Sequence, residues 1–463
     1  MPSAALYTLG CKLNQLESES IADAFRKEGF LVVPLGEDAP ERPDILVINT
    51  CTVTSHSEQK ARRAIRKALR DYPESALIVT GCYAQLEAEA LEALEAWEES
   101  PAGKRLFVIP GENKDRILDL PRFLTGNMSL GIPVKDLVRD FAAPVPEGGC
   151  ESAGSFRFSP ADFSFHSRAF LKIQDGCDNR CAYCRVSIAR GKSRSLGAKE
   201  VLAGLKALEE KGYGEAVLTG VNISQYRDPQ KRDLGGLLEY LLNETASIRL
   251  RLSSIEPGIF DPLFIRAVSH ERVQPHFHLS LQSGSASVLA RMGRSYTPAE
   301  AGEGISLLRA AKNDPFLACD IIAGFPGESQ EEFEKTFEFC RETGFAWIHA
   351  FPFSRRPGTA AWNFTDLVNE KEAGLRVERL GGLALEGRKR YVRRWLGKET
   401  EVIPEADQGK SPGFAAGVSA NYLKILIRLK GMPRPEAGKI LRCRISGEPA
   451  REARFDAEGE MIL

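Results

Sequence analysis

The sequence predicts an α/β protein in three parts: an N-terminal parallel-sheet domain, a second βα series able to form a closed or partly closed barrel, and a small all-β module. Three observations predict it. Strand-like apolar runs alternate with helical periodicity over residues 1–120 and again from Ala169 onward. The stretch 120–165 between them holds prolines, glycines and little regular pattern. After Gly397 the helical periodicity stops, and Gly and Pro divide short strand-like runs. A chain of 463 residues also exceeds what one hydrophobic core organises.

The elements follow in order. Ala4–Leu9 is a short apolar run and Asn14–Glu28 has helical periodicity. Asp44–Asn49 (DILVIN) reads as a buried strand, Ser57–Arg70 as a helix, and Ala76–Thr80 and Leu106–Ile109 as further strands. This βαβ pattern implies parallel pairing. The stretch 120–165 reads as a linker with room for one short helix. The second series has strand candidates at Phe170–Ile173, Ala216–Leu218, Ile248–Leu252, His276–Leu281, Ala318–Ile322 and Trp347–Phe351. Helical stretches at 198–211, 234–243, 260–269, 297–311 and 329–343 separate most of them. Six βα units place their chemistry at the carboxyl ends of the strands. Glu386–Leu396 (EGRKRYVRRWL) is a basic helical stretch, and Glu401–Ile403, Tyr422–Leu429 and Ile440–Ile445 are the strands of the last module.

The formal net charge of −1 does not by itself announce a nucleic-acid binder. The start, MPSAALYTLGCKLNQLES, has no basic region followed by an apolar segment, so no signal peptide is expected. No apolar run reaches the roughly 20 residues of a membrane helix. The expectation is a monomeric cytoplasmic protein with no membrane partner. In that setting the ten cysteines are reduced, and grouped ones point to metal or catalysis before disulfides.

Cys177, Cys181 and Cys184 form Cys-x3-Cys-x2-Cys directly after the first strand of the second series and the Asp175–Gly176 turn. One loop can wrap three thiolates around a corner of a cubic iron–sulfur cluster, leaving the fourth iron open to chelate an amino and a carboxylate group. The alternative is structural zinc, which wants a fourth ligand; His166 is the nearest histidine. Cys11, Cys51 and Cys82 are far apart in sequence, yet each lies at or just past the carboxyl end of a strand candidate: YTLGC, LVINTC and LIVTGC. In a parallel sheet those ends lie side by side, so the three thiols can share a metal site.

The Cys177–Cys184 triplet resembles that of the radical S-adenosylmethionine (SAM) superfamily. The resemblance implies that the open iron holds SAM and that one electron cleaves it to a 5′-deoxyadenosyl radical, with Tyr183 near the adenine. The order of parts further resembles the methylthiotransferases. NTC (49–51), GCYAQ (81–85), ARGKSRS (189–195), LTGVN (218–222), RLSSIEP (251–257), LSLQSGS (279–285), MGRSYT (292–297), DIIAGFPGES (320–329) and FPFSRRPGTAA (351–361) carry it. It implies a flavodoxin-like N-terminal domain with an auxiliary cluster (1–125), a linker (126–165), a radical SAM partial (β/α)6 barrel (166–385) and an RNA-binding TRAM domain (386–463). It implies two [4Fe-4S] clusters and SAM as methyl donor and radical source. The six cysteines are then the metal ligands and catalytic residues. Tyr183, Thr219, Gly220, Asn222, Ser254, Glu256, Gln282, Arg294 and Gly324 are the implied cofactor contacts. Glycines such as Gly324 and Gly327 allow close backbone approach to a ligand. The chain departs from the family at Arg185–Val186–Ser187, where an apolar pair and proline are usual, at Ala286, where aspartate is common, and at the start of the β module.

Family members act on isopentenyladenosine in tRNA, on threonylcarbamoyladenosine in tRNA, or on an aspartate of a small-subunit ribosomal protein. RLSSIEP, HLSLQSGS and HAFPFSRRPGTAA resemble the threonylcarbamoyladenosine branch most. The implied product is 2-methylthio-N6-threonylcarbamoyladenosine at position 37, with the tRNA anticodon stem-loop as partner; the other branches are the alternative. No side-chain acid or base readily takes the hydrogen at adenine C2, whereas a carbon radical can, and the cofactors carry that chemistry. Basic residues in Ser57–Arg70, in 190–194 and in 388–394 offer phosphate contacts. Asn421–Tyr422 offers a tyrosine that either stacks on a base or fills the module's core. Arg294, Arg355 and Arg356 are candidates to pair with the substrate carboxylate. An iron–sulfur electron carrier and a zinc-stabilised RNA-binding protein are the competing classes. The sequence identifies no electron donor, no sulfur donor and no role for Cys150, Cys319, Cys340 or Cys443.

Overall fold

A computed structural model describes residues 1–36, 42–95, 104–143, 156–160, 162–163, 165, 167–405, 413–448 and 454–462. Cys150 and His166 lie outside the described residues. The chain divides into two units. The first is Met1–Phe165 with Asp175–Asp178 and Cys184–Ser193; the second is His166–Gln174, Asn179–Tyr183 and Arg194–Leu463.

The first unit is built on a five-stranded parallel sheet: β1 (Ser3–Thr8), β2 (Leu31–Pro34), β3 (Ile45–Thr50), β4 (Ala76–Gly81) and β5 (Leu106–Val108), in the order β2-β1-β3-β4-β5. Period-2 alternation sends Leu6, Val47 and Ile78 to one face and Ala5, Ile48 and Val79 to the other, and each face has its own buried core. This is why DILVIN and ALIVT read as unbroken apolar runs. The edge strand β2 escapes sequence reading because it is half exposed and ends on Pro34, as edge strands tolerate. Within the stretch read as a linker, a helix over Val134–Ala142 buries Leu137 and Val138 against the first of these cores.

In the second unit, β6 (Ala169–Lys172) leads into the cysteine loop, which β7 (Gln174–Asp175) and β8 (Arg194–Ser195) bracket. Then come β9 (Glu215–Thr219), β10 (Arg249–Leu252), β11 (His276–Gln282), β12 (Phe316–Ala323) and β13 (Trp347–Pro352). They form two parallel three-stranded sheets, β10-β9-β6 and β11-β12-β13. Two isolated parallel bridges, Leu250 to Val273 and Ile255 to Leu279, link β10 and the residues after it to the segment that enters β11 and to β11 itself. The alternation of strand and helix is as expected; the six strands do not hydrogen-bond as one sheet. All carboxyl ends within each sheet point the same way, so the loops after β6 and β9 are neighbours by topology, as are those after β12 and β13.

A 26-residue helix, Glu370–Trp395, follows. Sequence reading found only its last turns, because Gly374, Gly381, Gly382 and Gly387 dilute helix propensity. Packing overrides that: a β-carbon on Gly387 would lie 2.2 Å from the Phe345 carbonyl, so the helix needs the glycine to approach. The tail is a closed barrel of β14 (Glu399–Pro404), β15 (Phe414–Ser419), β16 (Lys424–Arg428), β17 (Leu441–Gly447) and β18 (Ala457–Met461). β15 and β18 are not legible in sequence, since Ala, Gly and Glu replace the β-branched residues that mark strands. The barrel core of Val402, Ile425, Ile427 and Ile445 is continuous with Tyr391 and Phe316. No helix among the described residues is long and apolar enough to cross a membrane.

Candidate metal centres

Cys51 and Cys82 directly follow β3 and β4, and Cys11 lies shortly past β1, so three adjacent strands deliver the first set of thiols. Two glycines shape the delivery. Gly81 has φ +100°, and a β-carbon there would meet the Thr50 carbonyl at 2.3 Å. Gly10 has φ +104°, and its β-carbon would lie 2.8 Å from Cys51 Sγ. The backbone ahead of Cys11 therefore passes directly over Cys51, which only glycine permits. Each of the three thiols lies within electrostatic reach of the other two. Burial pushes the Cys51 thiol up to about 12. Desolvation also raises Cys11, although that residue keeps solvent access.

Among the described residues no three His, Cys, Asp or Glu side chains form a ligand set for one metal ion. A polynuclear cluster spreads its thiolates over separate irons, and three soft thiols at one sheet edge are the donor chemistry it needs.

The polar face of helix Lys12–Lys27 supports this edge. Asn14 donates to the carbonyls of Leu9 at 2.7 Å and Thr50 at 3.0 Å, pinning the Cys11 loop to β3. Its Oδ1 accepts from Arg190 Nη2 at 3.0 Å. Arg190 is buried and donates from Nε to Cys82 Sγ at 3.1 Å, and from Nη1 to Glu17 and to Asp175, each at 3.1 Å. Lys114 also pairs with Glu17. Two cations thus balance two carboxylates beside Cys82. Sequence reading took Arg190 for a phosphate contact; the structure makes it an internal strut. Asn14 and Glu17 were missed, and polar residues on the inward side of an otherwise ordinary helix were the available signal.

The second cysteine set is held differently. Gly176 has φ +74°, and a β-carbon there would meet the Lys192 carbonyl at 2.0 Å. Cys177 N–H donates to the Gly191 carbonyl at 3.0 Å, and Val186 N–H lies 3.4 Å from Cys184 Sγ. The family departure at Arg185 is absorbed by a buried guanidinium that donates to Glu58 at 3.3 Å and Glu87 at 2.8 Å. Cys177 and Cys184 belong to the first unit and Cys181 to the second. In that second unit Arg294 donates to Cys181 Sγ at 3.3 Å, pairs with Glu256 at 2.8 Å, and donates to the Ser280 carbonyl at 2.8 Å and Tyr296 at 3.0 Å.

The other predicted contacts fall on the carboxyl edges of the second unit's sheets. Glu256 accepts from Asn179 at 2.7 Å, beside Cys181 in the loop. Tyr183 packs edge-on against Phe325. Thr219 ends β9 and is buried, Gly220 abuts Gln174, and Asn222 caps the next turn by accepting from Ser224 N–H. Gln282 ends β11 at φ +67°, a left-handed residue beside a register shift. Gly324 has φ +75°, but the space its missing side chain leaves is taken by Ala373 at 2.6 Å, so helix packing explains it. Ser254 Oγ is 2.7 Å from His278 Nδ1, and His278 Nε2 is 3.1 Å from Asp320. In the sequence His278 and Asp320 appear only as the first residues of HLSLQSGS and DIIAGFPGES, with no role of their own.

Residues 171–340 match the Radical SAM superfamily, and residues 3–101 match Uncharacterized protein family UPF0004. The chain is 41% identical to the threonylcarbamoyladenosine tRNA methylthiotransferase MtaB of Treponema pallidum, over 97% of this chain and 99% of that protein. It is 32% identical to the protein of the same name from Bacillus subtilis, over 98% and 96%. The chain belongs to the radical SAM methylthiotransferase family. The fold also matches the radical SAM methyltransferase TsrM of Kitasatospora setae, with TM-score 0.50 and 15% identity over 78% of this chain and 77% of that one.

For a member of this family the cations left facing solvent matter. In helix Ser55–Asp71, Lys60, Arg63 and Arg66 are exposed, whereas Arg62 binds the Tyr83 hydroxyl. Arg388 pairs with Asp456, Arg393 with Glu448 and Arg394 with Asp314, leaving Lys389 and Arg390 exposed in that patch. Tyr422, at φ +66°, stacks on His276 with ring centroids 4.0 Å apart, so it fills an internal seam. Asn421 is buried and donates to the Tyr391 hydroxyl.

Proposed function

We propose that this chain transfers a methylthio group to C2 of N6-threonylcarbamoyladenosine at position 37 of tRNA, giving 2-methylthio-N6-threonylcarbamoyladenosine. The observation that carries the reading is the pairing of two thiol triads: one assembled from the ends of β1, β3 and β4, one from a single loop after β6. End-to-end likeness to the threonylcarbamoyladenosine branch supports the substrate. In this reading Cys11, Cys51 and Cys82 hold an auxiliary [4Fe-4S] cluster, and Cys177, Cys181 and Cys184 hold a second. Tyr183, Thr219, Gly220, Asn222, Ser254, Glu256, Gln282 and Arg294 surround SAM. When bound, these groups supply an open iron, an electron, sulfur, a methyl group and the carbon-radical chemistry that opens an aromatic C–H.

The chain's own work is orientation and charge. Cys51 Sγ keeps its proton until a metal displaces it, since burial holds it neutral. Arg190 steadies Cys82, and Arg294 steadies Cys181, each by donating to sulfur. The first domain is flavodoxin-like, the six βα units act as a partial barrel, and the closed barrel is a TRAM module. Lys60, Arg63, Arg66, Lys389 and Arg390 offer sequence-independent phosphate contacts to the anticodon stem-loop. Mass spectrometry of tRNA nucleosides from cells lacking the protein tests the proposal. Loss of the methylthio mark from threonylcarbamoyladenosine is expected; loss from isopentenyladenosine, with the first mark intact, would overturn it.

A further inference from the structure

The loop after β13 carries an arginine whose chemistry is unfinished. Arg355 is exposed; its Nε donates to the Trp362 carbonyl at 2.6 Å, and its guanidinium lies 4.9 Å from the Trp362 ring centroid. Among the described residues no carboxylate and no carbonyl takes its two Nη groups. A guanidinium held at Nε and stacked on an indole face has lost most of its rotamer freedom, so its remaining donors are set in advance for a planar oxyanion. The other two candidates are committed or closed off. Arg294 spends its nitrogens on Cys181, Glu256, Ser280 and Tyr296. Arg356 is buried, 3% exposed.

The loop is also tied to the cysteine loop. Ala361 N–H donates to the Ala182 carbonyl at 2.8 Å, next to Cys181. Ala182, Phe325 and Ala361 share one apolar cluster, with Tyr183, Phe353 and Phe364 packed against it. Arg355 therefore stands on a short span whose two flanks are packed against Ala182 and Tyr183, next to Cys181. Phe351 on the same span is 42% exposed, an apolar surface next to a cation.

We infer that Arg355 is the specificity-determining residue for the substrate's amino-acid carboxylate, donating to it from its two Nη groups while Trp362 holds the guanidinium in place. This rests on the threonylcarbamoyladenosine reading above. It is separable from that reading, because a chain could modify that nucleoside while ignoring its carboxylate.

The test uses two synthetic anticodon stem-loops that differ only at residue 37: one with N6-threonylcarbamoyladenosine, the other with its carboxylate converted to the carboxamide. Binding to the full-length chain is measured at one fixed salt concentration for the wild type, Arg355→Gln, Arg355→Lys and Trp362→Leu. The wild type is expected to prefer the carboxylate RNA by about ten- to a hundredfold, the size of a charge-assisted pair. Arg355→Gln should bring that ratio close to one, Arg355→Lys should retain part of it, and Trp362→Leu should lower it less than Arg355→Gln. An unchanged ratio in Arg355→Gln overturns the inference. So does an equal loss for both RNAs, which would mark a phosphate contact. A wild-type ratio of one, in a protein whose deletion still removes the threonylcarbamoyladenosine mark, overturns it while leaving the functional reading standing. Loss of a different nucleoside mark in the deletion strain fails the functional reading itself.

Discussion

The two thiol triads reach similar chemistry by opposite routes. Cys11, Cys51 and Cys82 are brought together by topology: three neighbouring parallel strands, two left-handed glycines and a helix with a polar inner face. Cys177, Cys181 and Cys184 need one loop. Each triad has a buried arginine on one sulfur. Arg190 sits among two carboxylates and Lys114, while Arg294 has Glu256 and backbone and hydroxyl partners. Where assembly depends on distant strands, the fold invests more polar scaffolding; where it is local, the spacing does most of the positioning.

The largest expected effect comes from the glycines. Gly81→Ala forces a β-carbon against the Thr50 carbonyl at a φ that alanine rarely adopts, so a loss above about 3 kcal/mol is expected. After anaerobic reconstitution this variant should carry about four irons instead of about eight, yet still cleave SAM. Gly176→Ala, whose β-carbon meets the Lys192 carbonyl, should do the reverse and abolish SAM cleavage. A Gly81→Ala protein with full iron would show that the first triad does not depend on its strand-end geometry.

The arginines give the next effect. Arg190→Gln leaves Glu17 and Asp175 buried with one cation fewer, and should cost about 3–5 kcal/mol in urea unfolding. Arg294→Gln should cost less, about 1–3 kcal/mol, because Asn179 still donates to Glu256. The spectroscopic consequences should separate as well. Removing a hydrogen bond to sulfur lowers a cluster's potential. Arg190→Gln should therefore shift the signal that survives when the loop cysteines are replaced, and Arg294→Gln the signal that survives without the strand-end cysteines. Equal destabilisation by the two variants would erase the asymmetry drawn here.

The same contrast explains what the sequence made legible. Cys177–Cys184 is visible from spacing because its chemistry is contiguous. The strand-end trio is visible because buried parallel strands are unbroken apolar runs and each is followed by a cysteine. Arg190 was misread because a basic run looks alike whether it faces phosphate or a buried carboxylate; only the partners decide, Asp175 at the start of the same loop and Glu17 far away in sequence. His278 and Asp320 open two of the quoted motifs, yet their pairing was not legible, since the strand neighbours that oppose them are set by register. Gly324 shows the converse: a motif glycine read as ligand space is occupied by Ala373 of the long helix.

The smallest effect separates internal ion pairs from surface ones. Glu332 accepts from both Nη groups of Arg291, from Ser287 and from Ser329 N–H. Those partners, the arginine foremost, hold its carboxyl well below the ordinary range, at about 2. A lowered carboxyl stabilises the fold above its unfolded value near 4.3, and that share disappears as pH falls from there toward 2. Arg291 is 36% exposed, so screening keeps the contribution to about 1 kcal/mol or less. Glu332→Gln should lower the melting temperature slightly at neutral pH, and the gap from wild type should close below about pH 3. Salt should narrow the gap too, whereas the deficit of Arg190→Gln, whose charges are buried, should hold at high salt. A Glu332→Gln deficit that persists at pH 2 would mean that packing, not charge, accounts for it, and the contrast between the two arginine sites would then rest on Arg190 alone.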